Sequence, residues 1–256
     1  MLGFLASVGR VFLGFLVAAG SFTHFALTAL THCVRPPIYF RLILKQIIDI
    51  GYYSLPVVGL TAIFTGMVLA LQTNTGFARF AAQGAVATVV LLSMTRELGP
   101  VIAALMVAGR IGASIAAEVG TMRVTDQIDA LSTLSTNPFK YLVVPRIIAG
   151  VATLPVLVLV ADVIGVFGGF LVSTYKLGFN AGGYLGQTAD NLRSEDVYSG
   201  LIKAAVFGFI VTMMGCYFGY NSRGGAQGVG AATTYAVVSA SILVLLVDYL
   251  LTSVLF

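Results

Sequence analysis

The stretch Ile147-Ile-Ala-Gly-Val-Ala-Thr-Leu-Pro155-Val-Leu-Val-Leu-Val-Ala-Asp162-Val-Ile-Gly165-Val-Phe-Gly168-Gly169-Phe-Leu-Val-Ser-Thr-Tyr175 decides the fold. Its 29 residues carry one charge, Asp162. As a helix rising 1.5 Å per residue it would be about 43 Å long, more than the ~30 Å hydrocarbon core of a bilayer. The segment is predicted to cross a membrane, tilted or with one end in the interface. Pro155 supplies a candidate kink.

The same reading extends outward to spans at 55–74, 84–109, 200–220 and 231–256, each dominated by Leu, Val, Ile, Ala and Phe. Of 256 residues, 58% are hydrophobic and 9% charged, against about 25% charged in a soluble domain. The expectation is an all-α integral membrane protein with five transmembrane helices in one membrane domain, 46–256. Residues 1–45 are ambiguous. Val11 to Leu30 is apolar, but Gly20, Ser21, Thr23, His24 and Thr28 interrupt it, and Arg10, Arg35, Arg41 and Lys45 flank it. The reading is an amphipathic helix lying in the interface, with a signal peptide or a sixth span as alternatives.

The positive charge reports topology. With the N-terminus inside, inner segments hold nine basic residues: Arg10, Arg35, Arg41, Lys45, Arg110, Arg123, Lys140, Arg146 and Arg223. Outer segments hold three: Arg79, Lys176 and Arg193. This asymmetry places the 110–146 and 221–230 loops in the cytoplasm and the C-terminus outside. The basic residues do not cluster with aromatics in a polar segment, so nucleic acid is not expected as a partner. Cys33 and Cys216 lack metal spacing and are not expected to form a disulfide. Two small-residue motifs, Gly165-x-x-x-Gly169 and Gly215-x-x-x-Gly219, suit close helix packing, within the subunit or at a dimer seam.

Ionisable groups inside apolar spans cost at least ~2.5–3.5 kcal/mol at the bilayer centre and are functional candidates. Five stand out: Arg96, Glu97, Asp162, Lys203 and Asp248. Arg96 and Glu97 are neighbours pointing about 100° apart, so they cannot share a partner. Pro100 cannot donate the helical hydrogen bond to the carbonyl of Arg96, which weakens the helix where the charges lie. Such a place lines a cavity or contacts protein, and a buried ion pair locking helices is as good a reading as a substrate role. Lys203 and Asp248 both fall in the outer half and could pair, with snorkelling of Lys203 as the alternative. Asp162 is expected to bond a neighbouring helix. In the 110–146 loop, Ile128, Leu131 and Leu134 recur at helical spacing, with Asp126 and Asp129 near the start. The prediction there is a short amphipathic helix over about 118–134, ended by Asn137-Pro138.

Enzyme signatures are missing. There is no Gly-x-x-x-x-Gly-Lys-Ser/Thr loop for nucleotide phosphates and no His-Glu-x-x-His around His24 or His32. Ser114 does not sit in a Gly-x-Ser-x-Gly elbow. A non-catalytic subunit without metal or cofactor is expected, with any ATP and magnesium held by a separate protein.

Two stretches carry a specific resemblance: Arg96-Glu97-Leu98-Gly99-Pro100, and Glu118-Val-Gly120-Thr-Met122-Arg123-Val-Thr-Asp126-Gln127-Ile-Asp129-Ala-Leu131. Together with Thr65-Gly66-Met67, Gly200-Leu-Ile-Lys203 and the late Asp248, they resemble the MlaE family of lipid ABC transporter permeases from about residue 40 onward. The resemblance implies a homodimeric permease of the bacterial inner membrane that moves phospholipid to maintain outer-membrane lipid asymmetry. Implied partners are a cytoplasmic ATP-binding subunit, an MCE-domain lipid-binding protein and a small STAS-type accessory subunit. It makes 118–134 the helix coupling to the ATPase. It places Arg96, Glu97, Lys203 and Asp248 in or near the lipid path, with Arg96 or Lys203 as phosphate contacts and Leu71 and Leu98 as acyl-chain contacts. Rival readings are an ion-coupled carrier using Glu97, Asp162 and Asp248 as proton sites, and a non-transporting scaffold.

Overall fold

In lipid, every backbone N–H and C=O must find a partner within the protein, and an apolar chain meets that demand by coiling into helices. The computed structural model describes residues 2–37, 39–78 and 83–255, and these contain no strand. The helices are α1 (Leu2–Val34), α2 (Phe40–Ile50), α3 (Leu55–Ala78), α4 (Val86–Val124), α5 (Gln127–Thr133), α6 (Phe139–Tyr175), α7 (Ala181–Asn191), α8 (Ser194–Tyr220) and α9 (Gly225–Leu255). Six stretches are long and apolar enough to cross a membrane: 12–34, 40–78, and α4, α6, α8 and α9. The chain is an all-α, multi-pass membrane protein. Arg79 and Phe256, counted above with an outer segment and the last span, lie outside the described residues, as does the side chain of Arg10.

All five expected spans are present, and each helix runs further than its apolar core. α4 continues past Gly109 to Val124, because a charge does not end a helix; a cap or a proline does, and none intervenes between Pro100 and Asp126. The helix expected over 118–134 is therefore two elements. Glu118, Gly120, Met122 and Arg123 belong to the inner end of α4. Asp126, with φ +57°, turns the chain before α5. Ile128 is buried and Leu131 packs on the core, but Leu134 lies beyond the last helical turn, 75% exposed. Asn137 opens the next helix as well as closing the loop: its Oδ1 accepts from the N–H of Phe139 at 2.9 Å.

α6 is central, packing most extensively on α3 and α8. Two backbone contacts make this possible. Gly66 of α3 lies on Gly165 of α6, and Gly150 of α6 lies on Gly208 of α8, so close that a Cβ at either site would collide with the opposing backbone. Since lipid tails are as apolar as leucine, such contacts rather than hydrophobic burial hold helices together. Gly215 and Gly219 likewise meet α4 at Gly112, Ile115, Ala116 and Val119. Both small-residue motifs thus serve packing inside the subunit.

α1 is a single helix of 33 residues. Its aromatic contacts gather at one level. Phe25 sits 5.0 Å from Phe139, 5.5 Å from Tyr217 and 5.8 Å from Tyr220, between ring centroids, at the start of α6 and the end of α8. Asn137 reaches His32 Nε2 at 3.1 Å, and Lys140 Nζ donates to the carbonyl of Pro36 at 2.6 Å. Phe12, Leu13, Leu16 and Val17 remain exposed. Both cysteines are free.

Gly66→Val should cost about 1–3 kcal/mol through overpacking against the α6 backbone at Gly165 and lower the midpoint of thermal unfolding in detergent by several degrees. Gly76→Ala, with open space around its missing Cβ, should leave it unchanged.

Candidate functional site

The break predicted at Pro100 is real. α4 enters a π-helical turn at Met94–Leu98 and another at Ala108–Gly112, inserted residues of the kind that mark functional sites. Pro100 has no N–H, and the carbonyl of Arg96 finds a different donor: Lys203 Nζ on α8, at 3.0 Å. That ammonium also donates to Glu97 Oε2 at 2.7 Å and to Thr252 Oγ1 on α9 at 2.7 Å, and lies 3.2 Å from Asp248 Oδ1. Thr252 Oγ1 is 3.2 Å from Glu97 Oε1. One buried ammonium thus joins α4, α8 and α9.

Lys203 is 0% exposed, which rules out snorkelling. Its three N–H groups match its three hydrogen-bond acceptors, so it has no donor left for a phosphate. Arg96 points elsewhere, as its 100° offset from Glu97 requires. Its Nε and Nη2 lie 2.7 and 2.6 Å from Asp196 Oδ1 near the start of α8. Asp196 is 1% exposed, whereas Arg96 keeps about a third of its side chain open. Of the two cations, Arg96 alone keeps part of its side chain exposed.

The structure brings Arg96, Glu97, Lys203 and Asp248 together. Leu98 ends the π-helical turn beside them and packs on the core. Leu71 lies on α3, which packs against α6 and α4 and gives no side chain to the ion cluster. Asp162 does not bond a neighbouring helix: its Oδ1 is buried without a partner, against Gly99. It lines an apolar cavity of about 460 Å³ with Thr95, Phe167, Phe170 and Tyr184. Sequence reasoning missed Asp196 and Thr252. Thr252 was within reach, since it follows Asp248 by four residues and shares its face. Asp196 has the appearance of an ordinary helix-start acid, and its Oδ2 does accept from the N–H of Arg193 at 3.4 Å.

At the inner end, the signature residues divide. Glu118 pairs with Arg146 of α6 at 2.8 Å, and Gly120 packs against Ser222 and Val229. Met122 packs on the core. Arg123 pairs with Asp129 at 2.7 Å across the Asp126 turn and stands 5.9 Å from the centre of the Tyr220 ring. Gln127 donates to Thr125 Oγ1 at 3.0 Å. α5 is thereby held with Ile128 and Leu131 inward and Asp126, Gln127, Asp129 and Ala130 outward.

Bundled apolar helices joined by a buried ion cluster at a helix break define a polytopic membrane protein of the transporter kind. The family described as Permease MlaE matches residues 43–254, and this chain belongs to it. A probable ABC transporter permease protein of Rickettsia bellii is 57% identical over 256 residues, covering 100% of this chain and 99% of the relative. The intermembrane phospholipid transport system permease protein MlaE of Haemophilus influenzae is 34% identical, covering 100% and 98%. A chloroplast protein of Arabidopsis thaliana named trigalactosyldiacylglycerol 1 is 37% identical, covering 87% of this chain and 64% of the relative. The chain is a permease subunit.

Removing one member of a buried ion network costs about 3–5 kcal/mol by stranding the others. Lys203→Met should therefore lower the thermal midpoint in detergent sharply, and Lys203→Met with Glu97→Gln less than the sum of the two single changes. Additive losses would mean that the two residues do not act as a pair.

Proposed function

We propose that this chain is the permease of an ATP-driven phospholipid transporter of the bacterial inner membrane, passing lipid along a periplasmic MCE-protein route that maintains outer-membrane lipid asymmetry. It works as a homodimer with a cytoplasmic ATP-binding subunit, which holds ATP and magnesium, an MCE-domain protein and a small STAS-type subunit. The Haemophilus relative's name supports phospholipid as cargo, and the ABC transporter permease names support an external ATPase. The N-terminus is cytoplasmic and the C-terminus periplasmic, supported by the asymmetry of basic residues. Residues 1–45 form the N-terminal interfacial region, supported by the common level at which Phe22 and Phe25 meet Phe139, Tyr217 and Tyr220.

The observation that carries the reading is the Arg96–Glu97–Lys203–Asp248 cluster at the π-helical turn of α4. A phospholipid needs apolar walls for its tails and a few placed polar groups for its head. Arg96 contacts the phosphate; Lys203 and Asp248 hold the helices around it, and Leu71 and Leu98 belong to the apolar walls. α5 is the coupling element, presenting Asp126, Gln127, Asp129 and Ala130 to the ATPase while Arg123 fixes its angle to α4. A proton relay through Glu97, Asp162 and Asp248 is disfavoured: Glu97 and Asp248 both converge on Lys203, and Asp162 does not join them.

In vesicles containing the assembled complex, Arg96→Ala should reduce ATP-dependent lipid transfer at least tenfold with a thermal midpoint close to wild type. Transfer at the wild-type rate would remove Arg96 from the path, and transfer without the ATPase would favour a carrier. Ala130→Trp on the outward face of α5 should release the ATPase during co-purification while the permease stays monodisperse. Retention of a stoichiometric ATPase would place the docking surface elsewhere.

A further inference from the structure

A second polar site lies at the other end of α4, away from the ion cluster. Arg110 is 24 residues from Val86, about 36 Å along the helix, which carries it past a ~30 Å hydrocarbon core to the level of lipid headgroups. Tyr53, 55% exposed, lines the same cavity as Arg110, as interfacial aromatics do. On α2, Phe40, Leu44 and Ile48 form an exposed apolar stripe at four-residue spacing. Between α2 and α4 opens a cavity of about 330 Å³ walled by Gln46, Asp49, Tyr53, Arg110, Ser114 and Glu118.

The chemistry of this cavity is selective. Arg110 Nη1 donates to Ser54 Oγ at 2.8 Å and to the carbonyl of Asp49 at 3.3 Å, which fixes the guanidinium. Its Nε and Nη2 have no protein partner among the described residues. Asp49 and Glu118 add two carboxylates to the same wall, Glu118 already bonded to Arg146 at 2.8 Å. The cavity thus offers a planar cation suited to phosphate beside acceptors suited to an ammonium with N–H groups. A purely anionic headgroup would set a phosphate against two carboxylates with no ammonium to offset them. A choline headgroup has no N–H to donate.

The geometry points to a binding site for the phosphoethanolamine head of a phospholipid in the inner leaflet, with phosphate on Arg110 and the primary amine on Asp49 and Glu118. The site names a headgroup preference within the proposed lipid transport, and it depends on the proposed orientation only for which leaflet it faces. Its test needs neither ATP nor partners, so a failed transport assay leaves it standing. The full-length protein is reconstituted in nanodiscs of equimolar phosphatidylethanolamine, phosphatidylcholine and phosphatidylglycerol, and the lipids it retains are counted by native mass spectrometry.

Wild type should hold phosphatidylethanolamine about tenfold over phosphatidylglycerol. Arg110→Ala should lose about tenfold of that retention, the value of one charge-assisted hydrogen bond. Asp49→Asn, nearly isosteric and usable if Arg110→Ala does not fold, should abolish the preference for the ethanolamine lipid while phospholipid is still retained. Retention in the bulk ratio, or a preference untouched by Asp49→Asn, overturns the assignment. So does a thermal shift with millimolar soluble phosphoethanolamine in a protein that retains no lipid, which would mark a site for the free compound.

Discussion

One ammonium group sets the arrangement of the helices around the π-helical break. Pro100 deprives the carbonyl of Arg96 of its helical donor, and in a medium without water that oxygen must be satisfied from another helix. Lys203 supplies the hydrogen bond and in doing so enters lipid depth, where a lone cation would be costly. Glu97 and Asp248 neutralise it, and Thr252 accepts its remaining proton. A defect in one helix has become the junction of three. The bond geometry leaves Arg96 free to turn to Asp196, so two adjacent residues organise two different contacts with α8.

The inner half depends on aromatic and ionic contacts nearer the interface. Phe25, Phe139, Tyr217 and Tyr220 fasten α1 to the ends of α6 and α8, and Arg146 with Glu118 ties α6 to α4. The two halves therefore differ in physics. Around the π-helical break the ammonium of Lys203 is buried while Arg96 and Glu97 stay partly open; at the far end of α4, Arg110 and the outward face of α5 are exposed.

Much of this was legible in the residues because lipid forbids alternatives. An apolar run such as 147–175 has no fold open to it except a spanning helix, and a proline after two mid-span charges announces an unsatisfied carbonyl. The partner of that carbonyl was not legible: Arg96 and Lys203 are 107 residues apart, and no local pattern encodes such a pairing. Helix ends were misjudged for a related reason. The apolar pattern of α4 stops near Gly109, but helical hydrogen bonding ignores polarity and carries on until Asp126 adopts a left-handed conformation. Asp162 was read as a helix-to-helix bond because buried polar groups usually find partners; its unpartnered oxygen against Gly99 could be known only from three-dimensional packing.

The glycine contacts between α3, α6 and α8 have a mechanical meaning. Backbone laid on backbone leaves no layer of side chains to shear, so these three helices can travel only as one rigid block. α4 also meets α8 closely at Gly200, Gly215 and Gly219, but it differs in carrying two π-helical turns, each holding one residue more than an α-helix needs. It runs without interruption from the ion cluster to the turn that carries α5, 28 residues and about 42 Å from Arg96 to Val124. The charges and the turn into α5 are therefore the two ends of one continuous helix, so a rotation at either end would be felt at the other.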